Sequence, residues 1–440
     1  MRAALFLVLG LILSMPAGES DAAEVTARDI DTVVETESAS LDALYRKLHG
    51  NPELSLHEVE SARLMGEELR RAGFEVTTGV GGHGVVGVLR NGPGPTILWR
   101  ADMDALPVRE ETGLPYASRV TTHDDAGREV PVMHACGHDL HMTVLVALAR
   151  GLKTLAARWS GTAVLIAQPA EERVVGARAM IADGLFTRFP RPEAALALHV
   201  SDALPSGSVG YRAGPALANV DSVDIAVFGR GGHGSAPQTT IDPVVIAARL
   251  VMGLQTIVAR EIDPREPAVI TVGSIHGGTK HNIIPDRVDL QLTVRSYSDE
   301  VRKKLLESIE RNAVAEAQAA GAPRRPEIRL SEGTPATIND PALTRRVVEA
   351  LKRTLGSEAV REIAPIMGAE DFTYYGREGV PAFMFMLGTV SPEKVAASRV
   401  PGAPPLPSTH SSLYAPEREP SIRTGARAAL TAVTALLAPR

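Results

Sequence analysis

The chain has 440 residues with 46 Lys plus Arg against 52 Asp plus Glu, a formal charge of -6, and it is 44% hydrophobic and 22% charged. That length exceeds what one hydrophobic core usually serves, so two or more domains are expected. The balanced, slightly acidic charge excludes a basic nucleic-acid-binding face, and the composition excludes a chain dominated by disorder or low complexity.

Arg2 precedes an apolar run from Ala3 to Leu13, followed by Pro16, Gly18 and the small residues around Ser20, Asp21 and Ala22. This run falls short of the roughly 20 residues of a bilayer span. It reads as a signal peptide over residues 1–23, cut near Ala22 or Ala23. No later segment reads as long and apolar enough to span a membrane. An exported chain, periplasmic or secreted and free of the membrane after cleavage, is therefore expected. Cys136 is the only cysteine, so no intramolecular disulfide can form.

Leu41 to Leu48 and Val59 to Ala72 carry apolar residues at helical spacing, whereas Thr96 to Trp99 and Thr162 to Ala167 are short apolar runs of strand type. Alternation of the two kinds through about residue 213 predicts an α/β fold with a mixed, largely parallel sheet flanked by helices, where ligands gather at the carboxyl ends of strands. The middle of the chain has a different order. Val220 to Phe228 reads as a strand, Asp242 to Ile262 as a helix, Val269 to Ile275 and Val288 to Val294 as strands, Asp299 to Ala320 as a helix and Pro326 to Leu330 as a strand. This β-α-β-β-α-β order is that of a ferredoxin-like α+β unit. Helix and strand signals return around Leu343 to Leu355 and Ala382 to Leu387. The expected organisation is a larger discontinuous domain, 24–218 and 332–440, interrupted by a small inserted domain at 219–331.

The residues that carry chemistry cluster in short segments. Met133-His134-Ala135-Cys136-Gly137-His138-Asp139-Leu140-His141 places a thiol, three imidazoles and a carboxylate in nine residues before an apolar helix. Thiolate and imidazole are the usual ligands of zinc and similar ions, and the Cys-Gly-His spacing lets both reach one centre from a turn. The run Thr162 to Ala167 leads into Gln168-Pro169-Ala170-Glu171-Glu172, so two carboxylates follow a strand; one can bind metal while the other acts as base. Ala194 to Leu198 leads into His199, and Leu98-Trp99-Arg100-Ala101-Asp102-Met103-Asp104 is a third strand ending in acid. Polar groups at three strand ends point to a shared site. Ser408-Thr409-His410-Ser411-Ser412 adds a late histidine in a proline-rich loop.

These segments, with Leu48-His49-Gly50-Asn51-Pro52-Glu53-Leu54-Ser55, Gly229-Arg230-Gly231-Gly232-His233-Gly234-Ser235-Ala236-Pro237, Asn282-Ile283-Ile284-Pro285 and Gly368-Ala369-Glu370-Asp371-Phe372, resemble the M20 metallopeptidases. The likeness is to the amidohydrolase branch, which contains hippurate hydrolases, N-acyl amino acid amidohydrolases and auxin-conjugate hydrolases. It implies a two-domain subunit whose lid pairs it into a homodimer, and two divalent ions per subunit, Mn2+ or Zn2+. It implies Cys136, His138, Glu172, His199 and His410 as metal ligands, Glu171 as general base and Asp102 as a supporting carboxylate. It further implies that His233 reaches a neighbouring subunit's site to stabilise an oxyanion, and that Asn282 and Arg295 hold the substrate. Arg100 departs from the wider family, which has a histidine ligand there, so the ligand set must be completed by Cys136. The implied reaction is hydrolysis of the amide bond of N-acyl amino acids. A dipeptidase or carboxypeptidase, and a catalytically silent metal-binding scaffold, are the alternatives.

Overall fold

The computed structural model describes residues 24–437; the expected signal peptide, 1–23, lies outside them. An eight-stranded sheet runs in the order Glu75–Val80, Gly84–Asn91, Gly161–Gln168, Thr96–Asp102, Ala194–Pro205, Ala382–Val390, Val209–Tyr211 and Val360–Glu362. The four central strands, Gly161–Gln168 to Ala382–Val390 in that order, are mutually parallel. Alternate side chains divide between the faces, as strand geometry requires. Ile97 and Trp99 join the core formed with helices Ala27–His49, His138–Thr154 and Arg418–Leu437, while Leu98 and Val164 pack against Ala177, Met180 and Tyr375 on the opposite face.

Strands Asn219–Phe228, Ala268–Gly277, Arg287–Ser296 and Glu327–Thr334 form a separate antiparallel sheet. Its spatial order places Ala268–Gly277 at one edge, then Arg287–Ser296, Asn219–Phe228 and Glu327–Thr334. Helices Pro243–Glu261 and Asp299–Ala319 cover one face. The first starts where the Asp242 side chain accepts the Val244 N–H with Pro243 in the first turn, and the second where Ser298 accepts from Val301. This unit has its own core, including Val223, Ile225, Leu250, Leu254, Leu290 and Leu305. Connectivity and strand order are those of the expected ferredoxin-like lid.

Two expectations need correction. The helix Pro243–Glu261 is long and apolar enough, by length and composition, to cross a membrane. One stripe of it, Ile246, Ala247, Leu250, Leu254 and Ile257, is buried against the four-stranded sheet, whereas Val244, Val245 and Met252 are exposed. Neither does His199 follow its strand: Ala194–Pro205 continues beyond it, paired with Ala382–Val390. Backbone pairing to the neighbouring strand extends the element past the point where the apolar run stops.

Candidate active site

Gly137 separates Cys136 from His138 and adopts φ +71, a left-handed conformation that costs glycine little. A Cβ there would also lie 2.9 Å from Val200 Cγ2. The turn thus turns Cys136 and His138 toward one space while the helix His138–Thr154 begins beneath it. Of the four non-glycine residues with positive φ among the described residues, Ala170 (51°), Val174 (50°) and His410 (67°) lie at this site. Ala170 and Val174 flank the Glu171-Glu172 pair, and the Val174 N–H closes a turn on the Glu171 carbonyl at 2.7 Å. Left-handed backbone at a β-branched valine is strained, and such strain persists where a structure over-determines it.

The candidate ligands converge. Donor atoms of Cys136, His138 and His199 lie within 4.8 Å of one another, and so do those of Cys136, Glu172 and His410, so the two groups share the thiol. Cys136 Sγ is 3.4 Å from His199 Nε2, and Glu172 Oε1 is 3.4 Å from His410 Nε2 and 3.9 Å from His138 Nε2. The Nδ1–H of His138 donates to the Asp104 carbonyl at 2.8 Å, and that of His199 to the Val200 carbonyl at 2.7 Å. Both rings thereby aim Nε2 at the shared space, the orientation that outer partners impose on ligating histidines. His138 Nε2 and Glu172 Oε1 are buried without a hydrogen-bond partner. Orphaned buried polar atoms are costly, and a divalent cation would satisfy both.

The electrostatics agree with that fit. Burial works against charge on His138, yet Asp102, Asp104 and Glu172 outweigh it and raise the imidazole to about 10. A field strong enough to retain that proton is one a metal cation can occupy instead. Burial, reinforced by Glu172 and Glu171, pushes the Cys136 thiol well up, so the thiolate that ligates a metal requires a cation beside it. Glu171 is 6% exposed and has no hydrogen bond to its carboxylate among the described residues. Burial first, then Glu370, Glu172 and Asp371, hold its proton affinity well above that of an ordinary glutamate. A buried carboxylate beside a ligand, free of partners and basic, suits proton transfer.

Behind this centre lies Arg100, fully buried. Its Nε donates to Gln168 Oε1 at 3.0 Å, Nη1 to Asp102 Oδ2 at 2.5 Å, and Nη2 to Glu370 Oε1 and Asp371 Oδ1 at 2.8 and 3.0 Å. Arg100 thus serves as counter-ion to three buried carboxylates in the layer behind the ligands. Asp102 approaches His138 Nε2 at 3.6 Å and bonds His141 through Oδ1. Asp104 accepts from Ser55 and from the Glu172 N–H at 2.6 and 3.0 Å, which ties the ligand loop to the neighbouring strand end. The Glu370-Asp371 motif was visible in sequence, but Asp104, His141 and the Arg100 network had no recognisable role there because their partners are remote along the chain.

The lid residues stand apart. His233 is exposed, and its Nδ1 pairs with Ser235 Oγ at 2.7 Å and the Ser235 N–H at 3.1 Å. No donor group of the metal-binding kind includes it among the described residues. Asn282 Oδ1 is buried without a partner, and Arg295 donates to the Met367 carbonyl, across to the segment that carries Glu370.

Residues 98–400 match the model of peptidase family M20/M25/M40. The chain is 40% identical to thermostable carboxypeptidase 2 of Saccharolobus solfataricus over 354 residues, 79% of this chain and 86% of that one. It is 37% identical to hippurate hydrolase of Campylobacter jejuni over 352 residues, 78% and 87% of the two chains. Among solved structures it matches the Bacillus subtilis YXEP protein, a dinuclear metal binding peptidase from the M20 family, with a TM-score of 0.71 and 28% identity, covering 92% and 99% of the two chains. Sequence agreement on this scale, with the same pairing of catalytic domain and lid, means that the chain belongs to peptidase family M20/M25/M40 and is a metal-dependent amidohydrolase.

Proposed function

We propose that the protein removes the acyl group from N-acyl amino acids of the hippurate type, with Glu171 as general base. The observation that carries this reading is the pair of donor groups joined at Cys136, with the unpartnered Glu171 beside Glu172. Two divalent ions, zinc or manganese, held by Cys136, His138, Glu172, His199 and His410, would supply Lewis-acid charge and acidify a water. A Glu171 carboxylate oxygen takes that water's proton and delivers it to the leaving nitrogen. The Asn282 amide and Arg295 guanidinium orient the substrate's carbonyl and carboxylate. A cavity of about 300 Å³ beside Glu172, walled by Leu54, Ala105, Leu106 and Pro107 on one part and by His57, Asp124, Asp125, Arg128 and Arg173 on another, gives a small substrate room next to the ligand loop.

His233 is assigned to a neighbouring active site. Its exposure, the exposed apolar side of Pro243–Glu261 and the open edge strand Ala268–Gly277 support pairing through the lid. In the dimer, His233 of the partner subunit donates a hydrogen bond to the oxyanion. The sequence before residue 24, with its short apolar run, supports export to the periplasm or beyond. Carboxypeptidase activity is the second reading, favoured by the relative at 40% identity. The test is a panel of N-acyl amino acids, dipeptides and longer peptides given to metal-stripped enzyme reloaded with zinc or manganese. Metal-dependent turnover of N-benzoyl and related acyl amino acids above all peptides is expected. Preference for peptides establishes the second reading, and turnover that ignores metal overturns both.

A further inference from the structure

His141 is buried among the candidate ligands without being one of them. Its ring stacks on His138 with centroids 5.2 Å apart and meets His199 edge-on at 5.0 Å. Its nitrogens, with those of His138 and the Asp102 carboxylate, satisfy the spacing of a metal-binding group. Both nitrogens are already committed, however. Nδ1 lies 2.5 Å from Asp102 Oδ1, which accepts, and Nε2 lies 3.0 Å from the Val200 backbone N–H, which donates. These partners fix one tautomer, protonated at Nδ1 and bare at Nε2, with no lone pair left for a cation.

Each end of this bridge is anchored. The other oxygen of Asp102 is held by Arg100 Nη1 at 2.5 Å, and Arg100 is fixed in turn by Gln168, Glu370 and Asp371. At the far end, Val200 follows His199, and the Val200 carbonyl accepts the His199 Nδ1–H at 2.7 Å. His141 thus holds the N–H of the residue whose C=O sets the His199 ring. Ala382–Val390 holds this strand on one side, while pairing with Thr96–Asp102 stops at Ala197, so on the other side it is His141 that holds the Val200 N–H; among the described residues His199 Nδ1 has no partner but the Val200 carbonyl.

We propose that His141 is a positioning residue of the metal centre, a neutral strap from the Arg100–Asp102 pair to the Val200 backbone that aims His199 Nε2 at the space beside Cys136. The inference rests on the metal reading above. It differs from an ordinary packing role in acting on one direction, that of His199, and therefore on the ion held there. Outer partners of metal-bound histidines typically govern affinity by about 10- to 100-fold.

The test uses the full protein stripped of metal, with wild type, His141→Phe and His141→Asn titrated with zinc against a chromophoric chelator. Cobalt-loaded samples are compared in the thiolate-to-metal absorption band. Wild type is expected to bind two equivalents. In His141→Phe one equivalent weakens by about 10- to 100-fold while the other keeps its affinity, the cobalt band shifts, and the thermal midpoint of the metal-free protein changes little. Asparagine retains a donor for Asp102 but is too short to accept from Val200, so His141→Asn should track the phenylalanine variant, and it serves alone if phenylalanine prevents folding. The inference is overturned by unchanged affinity in either variant, or by equal weakening of both equivalents with a lowered metal-free midpoint. Wild type that binds no divalent ion overturns the metal reading itself.

Discussion

Glu171 and Glu172 are adjacent in sequence, and exchanging each for glutamine separates base from ligand. Glu171 has no hydrogen bond to lose, and Glu370 and Asp371 offer carboxylate oxygens within 4.8 Å of its own. Glutamine there keeps the shape and removes a buried like charge, so folding and metal content should survive Glu171→Gln. The amide cannot accept the proton, and general-base catalysis contributes about 100- to 10,000-fold. At 1.36 kcal/mol per tenfold, that is a barrier rise of about 3 to 5.5 kcal/mol, seen as a fall in kcat with little change in KM. Glu172 Oε1, 3.4 Å from His410 Nε2 and 3.9 Å from His138 Nε2, is the orphan a cation would satisfy. Glu172→Gln should therefore lose metal first and activity in consequence. The assay is metal content by mass spectrometry after matched dialysis, with kcat on an N-benzoyl amino acid measured before and after adding excess metal. Equal metal loss in the two variants, or a Glu171→Gln enzyme that turns over normally, refutes the division of labour.

Three further outcomes follow from the same geometry. His233→Ala should lower kcat by about 100-fold or more with metal binding intact, and mixing it with Glu171→Gln under subunit exchange should restore activity; no recovery places the histidine outside the neighbouring site. Arg100→Met leaves three buried carboxylates without their cation, and should cost about 3 to 5 kcal/mol in urea denaturation; a loss below about 1 kcal/mol contradicts the counter-ion role. His49 is buried between Asp139 (2.7 Å) and Glu110 (3.1 Å); burial opposes its charge, but the two carboxylates raise it to about 10. A raised histidine stabilises fully below its unfolded value of about 6.5 and loses that contribution as pH climbs through the folded value. Wild type should thus lose stability between about pH 6.5 and 10 in a way that His49→Gln does not, and parallel pH profiles count against the buried pair.

Local pattern alone determined much of this protein. The alternation of apolar strand and amphipathic helix, the switch to β-α-β-β-α-β order between 219 and 331, and the concentration of thiol, imidazole and carboxylate near strand ends were all legible, because burial periodicity and ligand chemistry are properties of neighbouring residues. Strand lengths were not: Ala194–Pro205 runs past His199 because Ala382–Val390 lies beside it. The apolar helix Pro243–Glu261 could be understood only once a sheet was seen to bury one side of it. Most of all, tertiary structure decided what surrounds the site. Arg100 faces Glu370 and Asp371 some 270 positions along the chain, and His141 bridges Asp102 to Val200. Such partners are chosen by the packing of parallel strands and the loops beyond them, and a hydrogen bond between remote residues leaves no period or spacing in the sequence by which to find it.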